Sequence, residues 1–308
     1  KQLKMEGKPK IILLAGPTAS GKSKIAIKLS KLLNGEIINA DSMQVYKELR
    51  ILNSRPTAND EKKIKHHLYG IISVKNKFST GHWLKLATKK IKEILKKNKT
   101  PIVVGGTGLY YKALLEGLVK IPTVPIIFRN QIRLHHNKIG QASFYNKLLK
   151  LDSNIKHFIS SNDIQRTLRA YEVKKYTNKS LYEWIKYTKP NFDQNLFKKI
   201  FLNPQRGYLI SKINLRIEKM FKQGAKKEVD KFFKLKVKKD MSANKIIGIH
   251  EIANYLNNSL SLQATKELIR IRTRQYAKRQ FTWARGKMTS WEMINPNNYK
   301  EILKKVTN

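Results

Sequence analysis

The segment Gly16-Pro17-Thr18-Ala19-Ser20-Gly21-Lys22-Ser23 carries the spacing Gly-x-x-x-x-Gly-Lys-[Ser/Thr], whose chemistry is the cradling of phosphate. The two glycines let backbone pass close to phosphate oxygens. The loop amides and the N-terminus of the following helix supply positive potential, Lys22 is placed to neutralise the terminal phosphate, and the Ser23 hydroxyl is placed to hold Mg2+. The expected ligand is a di- or triphosphate with Mg2+ as cofactor. A glycine-rich turn without a ligand is disfavoured by the flanks. The apolar run Ile11–Ala15 precedes the loop, and the helical pattern Ile25, Ile27, Leu29, Leu32 and Leu33 follows it.

A second group able to do chemistry is Asp41, at the end of the apolar run Ile37-Ile38-Asn39-Ala40. A strand-end carboxylate beside a phosphate loop suits a magnesium-organising acid, a general base facing a phosphate-bound electrophile, or an N-cap. The adjoining Ser42, Met43 and Gln44 argue against simple hydrolysis, because Ser and Gln bring the donors and acceptors that reading a base edge requires. A third loop, Gly105-Gly106-Thr107-Gly108, follows Ile102–Val104.

These loops need a scaffold that brings them together. Short apolar runs at Ile11–Ala15, Ile37–Ala40 and Ile102–Val104, with helical segments between, predict an α/β class fold: a P-loop NTPase-like parallel sheet flanked by helices. Ligands of such sheets gather at the carboxyl ends of the strands, where the three loops converge. After Gly117 the run Ile121-Pro-Thr-Val-Pro125 breaks the pattern, and the chain to Asn203 is polar and helix-forming without a convincing strand. Amphipathic helices return from Ile210. The expected organisation is a core of residues 1–120 and 204–308 interrupted by an inserted helical domain, residues 121–203.

Charge adds a partner. Lys plus Arg total 64 against 21 Asp plus Glu, a formal net charge of +43, which favours a polyanion and nucleic acid first. AT-rich coding also yields such lysine-rich chains, so the position of arginines and aromatics is more telling. They cluster at residues 270–285, where Ile271, Gln275 or Tyr276, and Phe281 are expected on a buried helix face and Arg270, Arg274, Lys278 and Arg285 on another. Cations beside Tyr and Trp suit a phosphate backbone and splayed bases. The 308-residue chain has no cysteine, which suits a reducing compartment. It shows no apolar stretch of membrane-span length and no signal-peptide core, so a soluble, cytoplasmic protein with no membrane partner is expected. The adjacent pairs His66-His67 and His135-His136 cannot both face one metal on a regular element and read as structural. Trp83, Trp184 and Trp291 read as core.

Asp41-Ser-Met-Gln-Val-Tyr-Lys47, Pro101-Ile-Val-Val-Gly-Gly-Thr107-Gly-Leu-Tyr-Tyr111 and Lys278-Arg279-Gln280-Phe-Thr-Trp283-Ala-Arg285 together resemble the tRNA dimethylallyltransferase family, also called isopentenyl-tRNA transferases. His66-His67-Leu68, Gln165-Arg166-Thr-Leu-Arg169 and Ile246-Ile-Gly248 extend the resemblance, in the family's order, over nearly the whole chain. The resemblance implies transfer of a dimethylallyl group from dimethylallyl diphosphate to N6 of the adenosine immediately 3′ of the anticodon. It also implies Mg2+ and the tRNA anticodon stem-loop as cofactor and partner, and a monomer is expected. In that setting the P-loop residues Gly16 to Ser23 grip a diphosphate leaving group, with Arg216 as a further phosphate-binding residue. Asp41 becomes the base for the N6 amine. Thr107 matches a position near the bridging diphosphate oxygen and Arg129 one that contacts substrate. Ser42, Met43, Gln44, Gln165, Arg166, Arg169, Gly248 and the segment Lys278, Arg279, Gln280, Trp283 and Arg285 match tRNA contacts.

The chain departs from the family at three places. Gly-Met-Asp-Ile-Gly-Thr-Ala-Lys-Pro is replaced by Glu48-Leu-Arg-Ile-Leu-Asn-Ser-Arg55-Pro56, which loses the glycines and the acid but keeps a cation and the proline. Gly-Tyr-Lys-Glu appears as Gly248-Ile-His250-Glu251, and an acidic position before Arg129 is Pro125. Three rival readings stand beside the transferase. A small-molecule kinase would share the P-loop and Asp41 but leave Ser42–Gln44 and the arginine-aromatic helix without a task. Prenyl transfer to free adenine nucleotides, or RNA binding without catalysis, would share the scaffold.

Overall fold

The computed structural model describes residues 10–307. Strand β1 (Ile11–Ala15) consists of five consecutive apolar residues, all buried, as a central parallel strand covered on both faces requires. It is followed by α1 (Lys22–Leu32), β2 (Gly35–Asn39), α2 (Ala58–Lys63), β3 (His66–His67), α3 (Thr80–Lys96), β4 (Thr100–Gly105) and α4 (Gly108–Glu116). Then come α5 (Ile126–Leu151), α6 (Ile164–Thr177), α7 (Leu181–Lys186), β5 (Phe197–Leu202), α8 (Arg206–Lys222), α9 (Ala225–Lys234), α10 (Ile249–Leu256), α11 (Leu262–Lys287), β6 (Glu292–Ile294) and α12 (Tyr299–Thr307). The strands form one sheet in the order β3-β2-β4-β1-β5-β6, with every neighbouring pair parallel.

Alternation along β1 divides the packing between the two faces of the sheet. Ile11, Leu13 and Ala15 pack with Trp83 of α3, Tyr110 and Tyr111 of α4 and Ala284 of α11. Ile12 and Leu14 pack with Ile25 and Leu29 of α1 and with Ile302 and Val306 of α12. A third cluster joins α8, α9 and α10 to Val45, Tyr46, Leu49 and Leu52, in the chain between β2 and α2. Helix α3 shows how local sequence serves this plan: Ser79 caps it by accepting from the His82 amide, and Trp83, Ala87, Ile91 and Ile94 fall on its buried face.

The chain forms two compact units, one of the residues up to Leu115 together with those from Phe192 onward, the other Glu116–Asn191. The expected stretch without strands, 121–203, is therefore corrected. Phe197–Leu202 is β5, paired with β1 from Ile11↔Phe197 to Ala15↔Phe201, and its two lysines obscured an otherwise apolar strand. In the second unit α5 is interrupted at Gly140, whose φ of 78° favours glycine. Its packing centres on Ile132, Phe144 and Leu168, and on Tyr145, Leu148, Ile155, Ile159 and Ala170. Trp83 and Trp291 are buried, whereas Trp184 is half-buried and donates from its indole N–H to Thr177 Oγ1 at 3.1 Å. No helix among the described residues is long and apolar enough to cross a membrane.

Candidate active site

Because β2, β4 and β1 are neighbours in the sheet, the loops leaving their carboxyl ends adjoin. The loop after β1 turns through left-handed backbone at Ala19 (φ 63°) and Gly21 (φ 88°) into the first residue of α1. Lys22 Nζ donates to the carbonyl oxygens of Gly16 at 2.8 Å and Pro17 at 2.6 Å. Burial lowers its pKa to about 8; the negative charge of Asp41 opposes the shift and the nearby Arg216 adds to it. Ser23 is exposed at the start of α1.

Asp41 is set by the end of β2. Trp83 Nε1 donates to the Asn39 carbonyl at 2.7 Å, and the Asn39 side chain donates to the carbonyls of Asp41 at 3.0 Å and Leu68 at 3.1 Å. The Asp41 amide donates back to Asn39 Oδ1 at 2.8 Å. Asp41 Oδ1 accepts from the Met43 amide at 2.9 Å, and Oδ2 accepts no hydrogen bond among the described residues. The backbone around this carboxylate is fixed while one oxygen stays available. Thr107 joins the next loop to it, accepting from the Ser42 amide at 2.9 Å and donating its own amide to Ala40 O at 3.2 Å.

The glycines at the end of β4 and just after it sit against close neighbours. A Cβ at Gly105 would lie 2.1 Å from the Ala40 carbonyl carbon, one at Gly106 2.1 Å from Gln280 Nε2, and one at Gly108 2.1 Å from Trp283 Nε1. Gln280, buried on α11, accepts from the Thr18 amide at 2.8 Å and donates to Gly106 O at 3.0 Å. One side chain thereby ties the loop after β1 to the loop after β4, and Trp283, a turn further on, covers Gly108.

Arg216 of α8 completes the constellation. Its Nη1 donates to Thr18 Oγ1 and its Nη2 to Leu52 O at 3.2 Å. Burial lowers its pKa, with the charge of Asp41 acting in the opposite direction. Thr18 to Lys24, Asp41, Met43, Gln44, residues 50–55, Arg216, Tyr276 and Arg279 line a cleft of about 1280 Å³. Among the described residues lining it, Asp41 is the one carboxylate, against Lys22, Lys24, Arg50, Arg55, Lys212, Arg216, Lys219, Lys245 and Arg279. An anion is the matching ligand. No group of three His, Cys, Asp or Glu side chains among the described residues could cage a metal. A sparse set of hard oxygens, Ser23 Oγ and the Asp41 carboxylate, nevertheless suits Mg2+, which takes most of its ligands from phosphate and water.

Several expected contact residues have partners inside the protein. The Gln44 amide donates to Asn53 O at 2.8 Å and Ser54 O at 3.2 Å, which leaves its carbonyl oxygen for another partner. Gly248 adopts a φ of 106° and donates its amide to Glu251 at 2.9 Å, and a Cβ there would meet Leu52 Cδ2 at 2.4 Å. The expected inner face of α11 is corrected: Ile271 is exposed, and Ile269, Thr273, Ala277, Gln280 and Ala284 are buried. Arg270 and Arg274 are held by acids, Arg270 by Glu218 at 2.7 Å and Arg274 by Glu267 at 3.0 Å. Lys278, Arg279 and Arg285 are exposed and make no ion pair among the described residues.

Arg129, Gln165, Arg166 and Arg169 belong to the second unit. Arg129 and Arg169 flank the buried carboxylate of Glu172 at 3.3 and 3.5 Å, Arg166 lies 3.4 Å from Asp163, and Gln165 is exposed. Sequence reasoning missed Asn39, which buttresses Asp41, and Glu228, which binds the amides of residues 50–52. Asn39 was signalled by its place two residues before the carboxylate. Glu228 left no local signal.

The family model described as IPP transferase matches residues 44–287, and that described as isopentenyl transferase matches residues 9–71. The chain is 55% identical to the tRNA dimethylallyltransferase of Pelagibacter ubique (strain HTCC1062), covering 98% of this chain and 96% of that protein. It is 44% identical to the tRNA dimethylallyltransferase of Rickettsia massiliae (strain Mtu5), covering 96% and 82%. The crystal structure of the tRNA isopentenylpyrophosphate transferase from Bacillus halodurans superposes with a TM-score of 0.68 at 30% identity over 97% of both chains. That of a eukaryotic dimethylallyltransferase acting on tRNA superposes with a TM-score of 0.78 at 28% identity, over 90% of this chain and 70% of that one. The IPP transferase model's match over most of the chain, together with relatives 55% and 44% identical over nearly its whole length, places the chain in the IPP transferase family.

Proposed function

We propose that this chain transfers a dimethylallyl group from dimethylallyl diphosphate to N6 of the adenosine immediately 3′ of the anticodon in tRNA, releasing diphosphate by direct displacement. The observation that carries this reading is Asp41: among the described residues, the one carboxylate lining a cation-rich cleft beside the P-loop motif, with one oxygen that accepts no hydrogen bond there. The loop amides, Lys22 and Arg216 bind the diphosphate of the donor. Ser23 would hold Mg2+, which would supply further neutralisation of the diphosphate charge.

The acceptor amine is a weak nucleophile because its lone pair is delocalised into the adenine ring. Asp41 takes its proton as the C–N bond forms, while the C–O bond to the diphosphate breaks and its electron pair leaves with the oxygen. Thr107, whose hydroxyl accepts from the Ser42 amide and whose own amide donates to Ala40 O, is the proposed stabiliser of the charge that develops on the departing group, and Arg129 is a proposed substrate contact. The adenosine leaves its stack to reach the cleft, as chemistry on a base requires. Ser42, Met43, Gln44, Gln165, Arg166, Arg169, Gly248, Lys278, Arg279, Gln280, Trp283 and Arg285 form the proposed contacts to the anticodon stem-loop. The protein is proposed to act as a monomer in the cytoplasm.

The test is incubation of the purified chain and Mg2+ with radiolabelled dimethylallyl diphosphate and an anticodon stem-loop, with AMP as a parallel acceptor and Asp41→Ala as a control. Label in the RNA, none in AMP, and loss in the variant is the expected pattern. Absence of label in both acceptors at saturating donor sinks the reading. Label in AMP alone moves the activity to free nucleotides.

A further inference from the structure

Glu228 lies in the first turn of α9, does not line the cleft, and carries no chemistry-bearing motif. Yet its carboxylate accepts hydrogen bonds from three consecutive backbone amides: Arg50 at 2.6 Å, Ile51 at 2.8 Å and Leu52 at 2.8 Å. These amides belong to the loop where the chain departs from the family's glycine-containing pattern. Bonds of this kind to an ionised acceptor are the strong ones, and three of them hold a loop that forms no helix or strand of its own.

What the loop then presents is the Leu52 carbonyl, which accepts from Arg216 Nη2 at 3.2 Å. Arg216 uses its other terminal nitrogen on Thr18 Oγ1. The Leu52 side chain is buried and lies so close to Gly248 that a Cβ there would sit 2.4 Å from Leu52 Cδ2. A planar guanidinium gains its specificity from fixed acceptors at two of its edges.

We infer that Glu228 is a positioning residue for diphosphate binding: by fixing residues 50–52 it places the Leu52 carbonyl that aims Arg216 at the phosphate loop. The inference rests on the reading of the cleft as a diphosphate site. Removing the carboxylate leaves three amides without their acceptor and lets Leu52 drift. Arg216 then loses one of the two contacts that orient it, while Lys22 and the loop after β1 stay as they are.

The experiment compares wild type, Glu228→Gln and Glu228→Ala, each also in an Arg216→Ala background. Binding of inorganic diphosphate with Mg2+ is measured by calorimetry, KM for dimethylallyl diphosphate and for the stem-loop by transfer assay, and melting temperature as a folding control. Glu228→Gln, which keeps the side chain's shape, should weaken diphosphate binding and raise the donor KM by about tenfold. The stem-loop KM should stay within about twofold, and the effect on diphosphate should vanish when Arg216 is already absent. Unchanged diphosphate binding in both Glu228 variants overturns the inference, as does an equal loss with and without Arg216, which marks a general structural role. A wild type that binds diphosphate in this Arg216-dependent way but transfers nothing would sink the transferase reading and leave the positioning role standing.

Discussion

Asp41 and Glu172 are both carboxylates among cations, one in each compact unit, and they stand in opposite conditions. The Glu172 side chain is 1% exposed and has Arg129, Arg169 and Arg133 at 3.3, 3.5 and 3.9 Å. Asp41 is half-buried, makes no ion pair among the described residues, and receives one backbone amide on one oxygen. Lys22 and Arg216 feel its charge without consuming its oxygens. A carboxylate enclosed by arginines serves to hold them. One steadied by backbone, with an oxygen to spare, keeps that oxygen open to a substrate, as the base role proposed for Asp41 requires.

The largest expected effect separates the two directly. Asp41→Ala should lower kcat by about 10²- to 10⁴-fold with the melting temperature unchanged, whereas Glu172→Gln should leave kcat within about tenfold. Comparable kcat losses in the two variants would erase the distinction.

Next comes the cation facing Asp41. On the proposed reading the protonated Lys22 ammonium is the form that binds diphosphate; burial lowers its pKa to about 8, so it is charged below that pH and neutral above it. The donor KM should therefore rise with pH through 8 and approach a tenfold rise per pH unit beyond it. Lys22→Arg, which keeps its charge, should flatten that rise; a profile equally steep in the variant would remove Lys22 as its source.

On the other side of the comparison, Glu172→Ala leaves three half-exposed guanidiniums without their common counter-charge. It should lower stability by about 2 kcal/mol in urea unfolding, less than a fully buried pair would lose because solvent screens the arginines. A variant as stable as wild type would show that Glu172 does not hold them.

The smallest effects concern α11, where the same contrast recurs along a single helix. Arg285→Ala should weaken stem-loop binding about threefold and reduce the slope of log affinity against log salt by about one. Arg274→Ala, which removes a cation already engaged by Glu267, should change neither. Equal salt slopes for both variants would mean that ion pairing within the helix does not decide which arginines meet RNA.

Much of the site could be read along the chain because its parts are local. The eight residues of the phosphate loop and the carboxylate two residues after Asn39 act through spacing within one turn. Three of the four strands flanking the cleft-forming loops announced themselves as apolar runs. Strand β5 did not, because Lys198 and Lys199 interrupt its apolar pattern. The stripe on α11 was half right for a similar reason: helical spacing identifies faces but not which face meets an acid, so Arg270 and Arg274 looked like Arg285 until Glu218 and Glu267 were found beside them.

By itself the sequence determined that a P-loop motif adjoins a strand-end carboxylate on a parallel α/β sheet, since backbone reach and side-chain type within a few residues settle such motifs. Tertiary structure alone decided which distant groups hold that site in shape. Gln280 bridges the loops after β1 and β4 from 262 residues beyond Thr18, and Glu228 ties down residues 50–52 from 178 residues beyond Arg50. Hydrogen bonds act over about 3 Å whatever the separation along the chain, so only the packed fold reveals them.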